Sequence, residues 1–243
     1  MSVLLLRLAG PLQAWGSTSR FTQRHTEIAP TKSGVIGLLA AARGQRRTDP
    51  LTELLGLDFG VRIDQPGQIL RDFQVARTLD GRDSMPLTNR YYLSDAVFLA
   101  AIGGDSELLD GLHEAVRRPQ FPLYLGRRSC PPVAPVTLGV RPGTVAEVLG
   151  DVPWQASKRL RERAPSTVGL EVLLDAPPGA EATETFQDEP ISFDPAHRQY
   201  GWRAVVRTRV LVPNPDGRPP VAAGVPGGPG GPALADHDPL TWL

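Results

Sequence analysis

Val3-Leu4-Leu5-Leu6-Arg7-Leu8-Ala9-Gly10-Pro11 is the stretch whose reading decides the fold. Val3 to Leu8 is almost continuously apolar, as a strand buried at the centre of a sheet must be, and Gly10-Pro11 stops it. From Ser33 to Arg43 the apolar residues Val35, Ile36, Leu38, Leu39 and Ala42 recur at helical spacing, with Thr31 or Ser33 available as N-cap. The chain therefore opens as strand, long loop, helix.

Working outward, Leu51 to Leu57 predicts a short helix, and Phe59 to Ile63 a half-exposed strand ending at Gln65-Pro66-Gly67. Ile69 to Ala76 and Tyr91 to Ile102 predict two further strands. Between them Arg77 to Arg90, with Asp80-Gly81 and Met85-Pro86, predicts a projecting loop or hairpin. Asp105 to Arg118 carries Leu108, Leu109, Leu112, Ala115 and Val116 on one face of an amphipathic helix stopped by Pro119, and Phe121 to Leu125 predicts a short fourth strand. Strand, helix, strand, strand, helix, strand is the ferredoxin-like split arrangement, an α+β class shared with RNA-recognition modules. After Pro142 the pattern predicts a helix at Val145 to Leu149 and strands at Val168 to Leu174 and Trp202 to Val212, with an acidic loop between the strands. The expected organisation is a ferredoxin-like domain over 1–140, a small C-terminal subdomain over 141–212 and a proline- and glycine-rich tail over 213–243.

With 26 basic and 26 acidic residues the chain is formally neutral, so its total charge does not advertise a polyanion partner. The distribution does. Up to Arg47 the cations are Arg7, Arg20, Arg24, Lys32, Arg43, Arg46 and Arg47, against Glu27 alone, an excess of six. Only Lys32 and Lys158 are lysines, and arginine favours forked phosphate contacts and stacking on bases. No apolar run approaches the roughly 20 residues of a membrane span and no export signal precedes them, so a cytoplasmic protein with no membrane contact is expected. One cysteine, Cys130, and four scattered histidines make no zinc cluster, and neither metal nor cofactor is expected.

Two basic, glycine-bearing segments carry the chemistry. Gly10 to Gly16 leads to Pro30-Thr31-Lys32-Ser33-Gly34 at the mouth of the first helix, where amides, dipole and Lys32 suit an anion; the same residues also suit an ordinary helix cap. The glycines of a nucleotide-binding phosphate loop are absent, which rejects a nucleotide hydrolase. Leu125-Gly126-Arg127-Arg128-Ser129-Cys130 is either a solvated turn or a phosphate clamp. Trp15 is open to a core or a stacking role, and Arg90-Tyr91-Tyr92 mixes cation and aromatic surface as single-strand sites do. A metal-independent endoribonuclease using His25 with Lys32, Tyr91 or Tyr92 is the rival reading, although a lone histidine on a polar loop is more often simply exposed. In a ferredoxin-like sheet the exit loops of the first and fourth strands leave opposite ends, ~20 Å apart, so the two segments would be separate grips on one strand.

Taken together, Leu6-Arg7-Leu8-Ala9-Gly10-Pro11-Leu12-Gln13-Ala14-Trp15-Gly16, Pro30-Thr31-Lys32-Ser33-Gly34 before Gly37-Leu38-Leu39, and Tyr124 to Pro131 closely resemble the CasD family of the type I-E CRISPR Cascade complex, in the RAMP superfamily. Asp188-Glu189-Pro190 with Tyr200-Gly201-Trp202 extends the likeness to about residue 210. The resemblance implies a non-catalytic subunit that grips the 5′ handle of the CRISPR RNA, caps the CasC backbone, contacts CasA, and meets target DNA only through the complex. It makes the 77–90 segment a thumb pressing on the guide RNA. The implied RNA contacts are phosphate holders Arg20, Arg24, Thr31, Lys32 and Ser33; a clamp of Gly126, Arg127, Arg128 and Ser129; base or sugar contacts Gln13, Trp15, Gly16, Tyr91 and Tyr92; and Arg77 and Arg90 on the thumb.

Overall fold

Strand β1 (Ser2–Ala9) is buried on both faces, which explains its unbroken apolar run: Leu4, Leu6 and Leu8 face one hydrophobic layer and Val3 and Leu5 the other. The computed structural model describes residues 1–16 and 23–218; Arg20 and the tail from residue 219 lie outside the described residues. After β1 come two short strands, β2 (Leu12–Gln13) and β3 (Gln23–Arg24), then helix α1 (Lys32–Ala42), capped by Thr31, whose hydroxyl accepts from the Gly34 amide at 3.2 Å. Strands β4 (Asp58–Gln65), β5 (Gln68–Gln74), β6 (Thr88–Ser94) and β7 (Val97–Gly104) follow. Helix α2 (Ser106–Arg117) is capped by Asp105, which accepts from Glu107 and Leu108, and it buries Leu109, Leu112 and Val116. The remainder is β8 (Thr137–Pro142), α3 (Val145–Asp151), α4 (Lys158–Arg161), β9 (Thr167–Asp175), β10 (Glu184–Ser192) and β11 (Gln199–Pro213).

The main sheet has the order β10-β11-β9-β4-β7-β1-β8, and every neighbouring pair is antiparallel. Helices α1 and α2 cover one face, while α3 packs Val148 and Leu149 on Val3, Leu5, Leu99 and Ala101 of the other. The result is a mixed α/β architecture built on antiparallel sheets. β9, β10 and β11 join at β4, so residues of the expected C-terminal unit share one sheet with those of the first. A second sheet is centred on β6, which pairs with β5 on one edge and with β2 and β3 on the other.

Several expectations are corrected. The fourth central strand is β8, not Phe121 to Leu125; that segment enters a turn in which the Leu125 amide donates to Cys130 O at 2.7 Å and the Cys130 amide to Arg127 O at 2.8 Å. Leu51 to Leu57 forms turns, with Leu54 buried, and not a helix. Tyr91 to Ile102 is two strands in different sheets, broken at Asp95, which has φ 54°. The acidic loop contains β10, paired along β11. The first and second glycine-bearing segments are not a strand length apart: the Ala14 amide donates to Leu125 O at 3.1 Å.

Five charged side chains dock α1 on the sheet extension. Asp188 of β10 accepts from the Lys32 backbone amide at 2.8 Å and takes both Nε and Nη2 of Arg203 of β11 at 2.8 Å. Lys32 Nζ lies 3.0 Å from Asp175 Oδ2 and 3.0 Å from Glu189 Oε2, and Arg203 Nη1 donates to Asp175 at 2.8 Å. Burial works against the charge on Arg203, but Asp188 and Asp175 outweigh it and hold the guanidinium above its ordinary range.

Urea unfolding reads the weight of the glycine turns and of the charged network. Gly126 has φ +86°, and a Cβ there would sit 1.7 Å from Ala14 O, so Gly126→Ala is expected to cost on the order of 3 kcal/mol. Gly81→Ala, at φ +71° with nothing within 4 Å, should cost only about 1 kcal/mol of backbone strain; equal losses would contradict the clash. Asp188→Ala leaves Arg203 buried without its forked partner and the Lys32 amide without its acceptor, for an expected loss of about 3–5 kcal/mol.

Candidate nucleic-acid interface

The Gly10–Gly16 segment turns off the end of β1 and is fixed from within. Gln13 is 0% exposed: its Nε2 donates to Leu8 O at 3.1 Å and Ala96 O at 2.8 Å, and its Oε1 accepts from Trp15 Nε1 at 3.0 Å. Trp15 is 1% exposed. Neither side chain faces a strand of nucleic acid; the polar Gln13 sits in the core because Trp15 and two carbonyls satisfy it. Trp15 then anchors the returning chain, its amide donating to Thr26 Oγ1 at 2.9 Å and its carbonyl accepting from Glu27 at 2.6 Å.

The helix mouth is likewise occupied by the protein itself. Thr31, Lys32 and Ser33 are buried, Asp188 sits where an external anion would, and the Lys32 side chain, 7% exposed, is spent on Asp175 and Glu189. A phosphate would have to displace carboxylates already in place. The same engagement removes Lys32 as a partner for His25.

Charge that remains available gathers at the base of the β5–β6 hairpin. β3 runs parallel to β6, setting Arg24 beside Arg90, and the His25 ring stacks on Tyr91 with centroids 4.9 Å apart and planes 15° from parallel. From the other side comes the Gly126–Cys130 turn: Arg127 lies 4.7 Å over the Tyr92 ring and its Nη2 donates to Arg24 O at 2.9 Å. Nε of Arg90 and Nη1 of Arg127 are buried with no hydrogen-bond partner among the described residues. Gly16, Arg128 and Ser129 are exposed. Arg127 thus ties the turn to β3, while Arg128 is left facing outward.

Opposite residues on paired strands share a face, so Tyr91 lies with Arg71, and Arg90 with Asp72. Tyr92, next to Tyr91, points to the other face and is 3% exposed beneath Arg127, so the two tyrosines do different work. Arg71 is exposed and was not singled out from sequence, because only the hairpin register brings it opposite Tyr91. Arg77 sits beyond the paired part, bridging to Ser84 near the hairpin tip. Burial pushes the Cys130 thiol up, against the weaker pull of Ser129 and Arg127, which keeps it protonated. Among the described residues no cluster of three or more His, Cys, Asp or Glu suits a metal, and no helix is long and apolar enough to cross a membrane.

The arrangement offers guanidinium groups and the stacked His25–Tyr91 pair around a hairpin base, which is chemistry for phosphates and stacked bases. Comparison with known proteins shows the family. The chain is 37% identical over 161 residues to the CRISPR system Cascade subunit CasD of Escherichia coli (strain K12), covering 57% of this chain and 70% of that protein. Among solved structures it resembles a chain of a CRISPR RNA-guided surveillance complex, with TM-score 0.72 and 34% identity over 87% of this chain and 91% of that one. It also resembles a Cas protein known from a crystal structure, with TM-score 0.67 and 35% identity over 88% of this chain and 97% of that one. The profile of the family described as CRISPR-associated protein (Cas_Cas5) matches from Val3 in β1 to Val206 in β11, and the chain belongs to that family.

Proposed function

We propose that this protein is a non-catalytic RNA-binding subunit of a Cascade-type CRISPR ribonucleoprotein that grips the 5′ handle of the guide RNA, caps the CasC backbone beside CasA, and meets target DNA only through the assembled complex. The observation that carries the reading is the convergence of Arg24, Arg90, Tyr91, Arg127 and Arg128 at one hairpin base in a member of this family. The hairpin from Gln68 to Ser94 is the natural thumb, with Arg77 toward its tip. The chain order β1-α1-β4-β7-α2-β8 with spatial order β4-β7-β1-β8 supports a ferredoxin-like core. The reading assigns phosphate contacts to Arg24, Arg90 and Arg128 and stacking to Tyr91, and it gives Gln13, Trp15 and Thr31 to Ser33 structural duties instead. It places the protein in the cytoplasm and needs no cofactor. The endoribonuclease alternative loses two of its three partners for His25, Lys32 to Asp175 and Glu189 and Tyr92 to burial under Arg127, and the third, Tyr91, meets His25 ring on ring.

Each charge-assisted contact contributes on the order of 1.5–3 kcal/mol. Arg128→Ala is therefore expected to weaken handle RNA retention by about ten-fold or more with unchanged thermal stability, because the side chain is exposed. Arg127→Ala should lose RNA and also destabilise the turn, because it releases the Arg24 carbonyl and the Tyr92 ring. Quantifying guide RNA in purified complexes checks both. Normal retention in the Arg90→Ala/Arg128→Ala double variant sinks the site assignment, and His25-dependent cleavage of repeat RNA sinks the non-catalytic reading.

A further inference from the structure

A second concentration of cations lies on the sheet face opposite α1 and α2, and the interface described above does not use it. Arg7 of β1 shares that face with Leu99 and Arg62, its partners across β7 and β4. It is half-buried, and among the described residues its side chain makes one hydrogen bond, a long one, Nη2 to Gln155 O at 3.4 Å. The neighbouring carboxylate makes no ion pair with it. Asp64 is committed with both oxygens to Arg62, at 2.7 and 2.8 Å, and also accepts from the Gln155 amide at 2.6 Å.

The segment beside Arg7 brings more positive charge. Ser157 to Arg163 contains Lys158, Arg159, Arg161 and Arg163, and it is pinned rather than loose: buried Asn214 donates to Arg161 O and Pro165 O, both at 2.8 Å. Arg161 pairs with Asp216 at 3.0 Å, but its Nε is buried with no partner among the described residues. Lys158 faces Glu162 at 3.7 Å. Arg218 is carried alongside by backbone bonds to Ala164 and Ser166, and among the described residues neither it nor Arg159 nor Arg163 makes an ion pair. With the Arg62–Asp64 pair set aside, six cations here face two carboxylates, Glu162 and Asp216. Burial and the nearby Arg161 hold Arg7 below the ordinary arginine range, although Asp64 pulls the other way.

We propose that Arg7 and Arg161, rimmed by Arg159, Arg163 and Arg218, form a second anion site that takes the phosphodiester backbone of a nucleic-acid strand. Two adjacent guanidiniums with unspent donors and no shared counterion are completed by a shared anion, and forked donors suit phosphate. An acidic protein partner would need an apolar anchor at its centre, and the segment offers only Leu160, 39% exposed. The inference stands apart from the handle site, since the two use no residue in common.

The test is the full chain titrated with a single-stranded RNA and, separately, with a duplex DNA of unrelated sequence, across a range of salt. Arg159→Glu/Arg163→Glu alters two exposed side chains without ion pairs, so the fold is expected to hold. Arg46→Glu/Arg47→Glu makes the same change of charge elsewhere on the surface. The first variant should lose about ten-fold or more in affinity for at least one probe, with the salt slope falling by roughly 0.7–0.9 for each phosphate contact removed. The probe affected identifies RNA or DNA as the source of the backbone. The second variant should keep its slope, and Arg128→Ala should reduce RNA binding independently. Unchanged affinity and slope for both probes in the first variant overturns the proposal, as does failure of the unaltered chain to bind either. Unchanged binding combined with failure to join the assembled complex also overturns it, by making the patch a protein-docking surface.

Discussion

The joining of the first helix to the last strands depends on the carboxylates of Asp175, Asp188 and Glu189 closing over Lys32 and Arg203. Burying Lys32, Arg203 and Asp188 with two half-buried carboxylates is costly, and such networks seldom add much net stability over an apolar packing of equal volume. What they do is penalise any arrangement in which one member is missing. α1 comes early in the chain and β9, β10 and β11 come late, so the network makes correct docking of the last strands a condition for burying Lys32. It also fills the helix mouth with Asp188, which leaves that mouth unable to serve a nucleic acid without tearing the sheet extension from the helix.

The network changes the meaning of the chain's neutrality as well. Asp64 is matched to Arg62, Glu171 and Glu184 to Arg207, and three carboxylates to Lys32 and Arg203. Six carboxylates are thus engaged with four cations, so of the 26 residues of each sign 22 cations and 20 carboxylates remain. Pairing in these networks draws off two more carboxylates than cations, so the unpaired charge leans positive although the composition is balanced. A formally neutral protein can in this way present a positive surface to a polyanion without the self-repulsion of a high net charge.

Local signals were legible in the sequence, and long-range compensation was not. β1, the Thr31 and Asp105 caps, α2, and the hairpin after Gly67 follow from apolar spacing and turn residues within a dozen positions. The choice between anion site and ordinary cap at the helix mouth was not legible, because the counterions lie more than 140 residues away in sequence, where nothing local marks them as partners of Lys32. Gln13 and Trp15 were misjudged because a buried glutamine is acceptable only when its partners are known, and one of them is the carbonyl of Ala96. Phe121 to Leu125 has strand-like apolar content, yet Leu125 spends its amide on Cys130 and its carbonyl on Ala14, leaving no ladder to join. The Arg127-Arg128 pair was legible as a unit, but not its division of labour.

That division follows from geometry. An arginine that stacks on a ring and donates to a backbone carbonyl has lost most of its rotamer freedom before any ligand arrives, so less entropy remains to be lost on binding. Arg127 is in that state over Tyr92, and it also fixes the backbone from which Arg128 projects. Gly126 allows the turn to approach Ala14 closely enough for this, since any side chain there would strike the Ala14 carbonyl. The interface therefore depends on contacts between segments far apart in the chain, held rigid by a glycine and an aromatic ring. Its affinity for phosphate is set as much by how little those groups can move as by how many charges they carry.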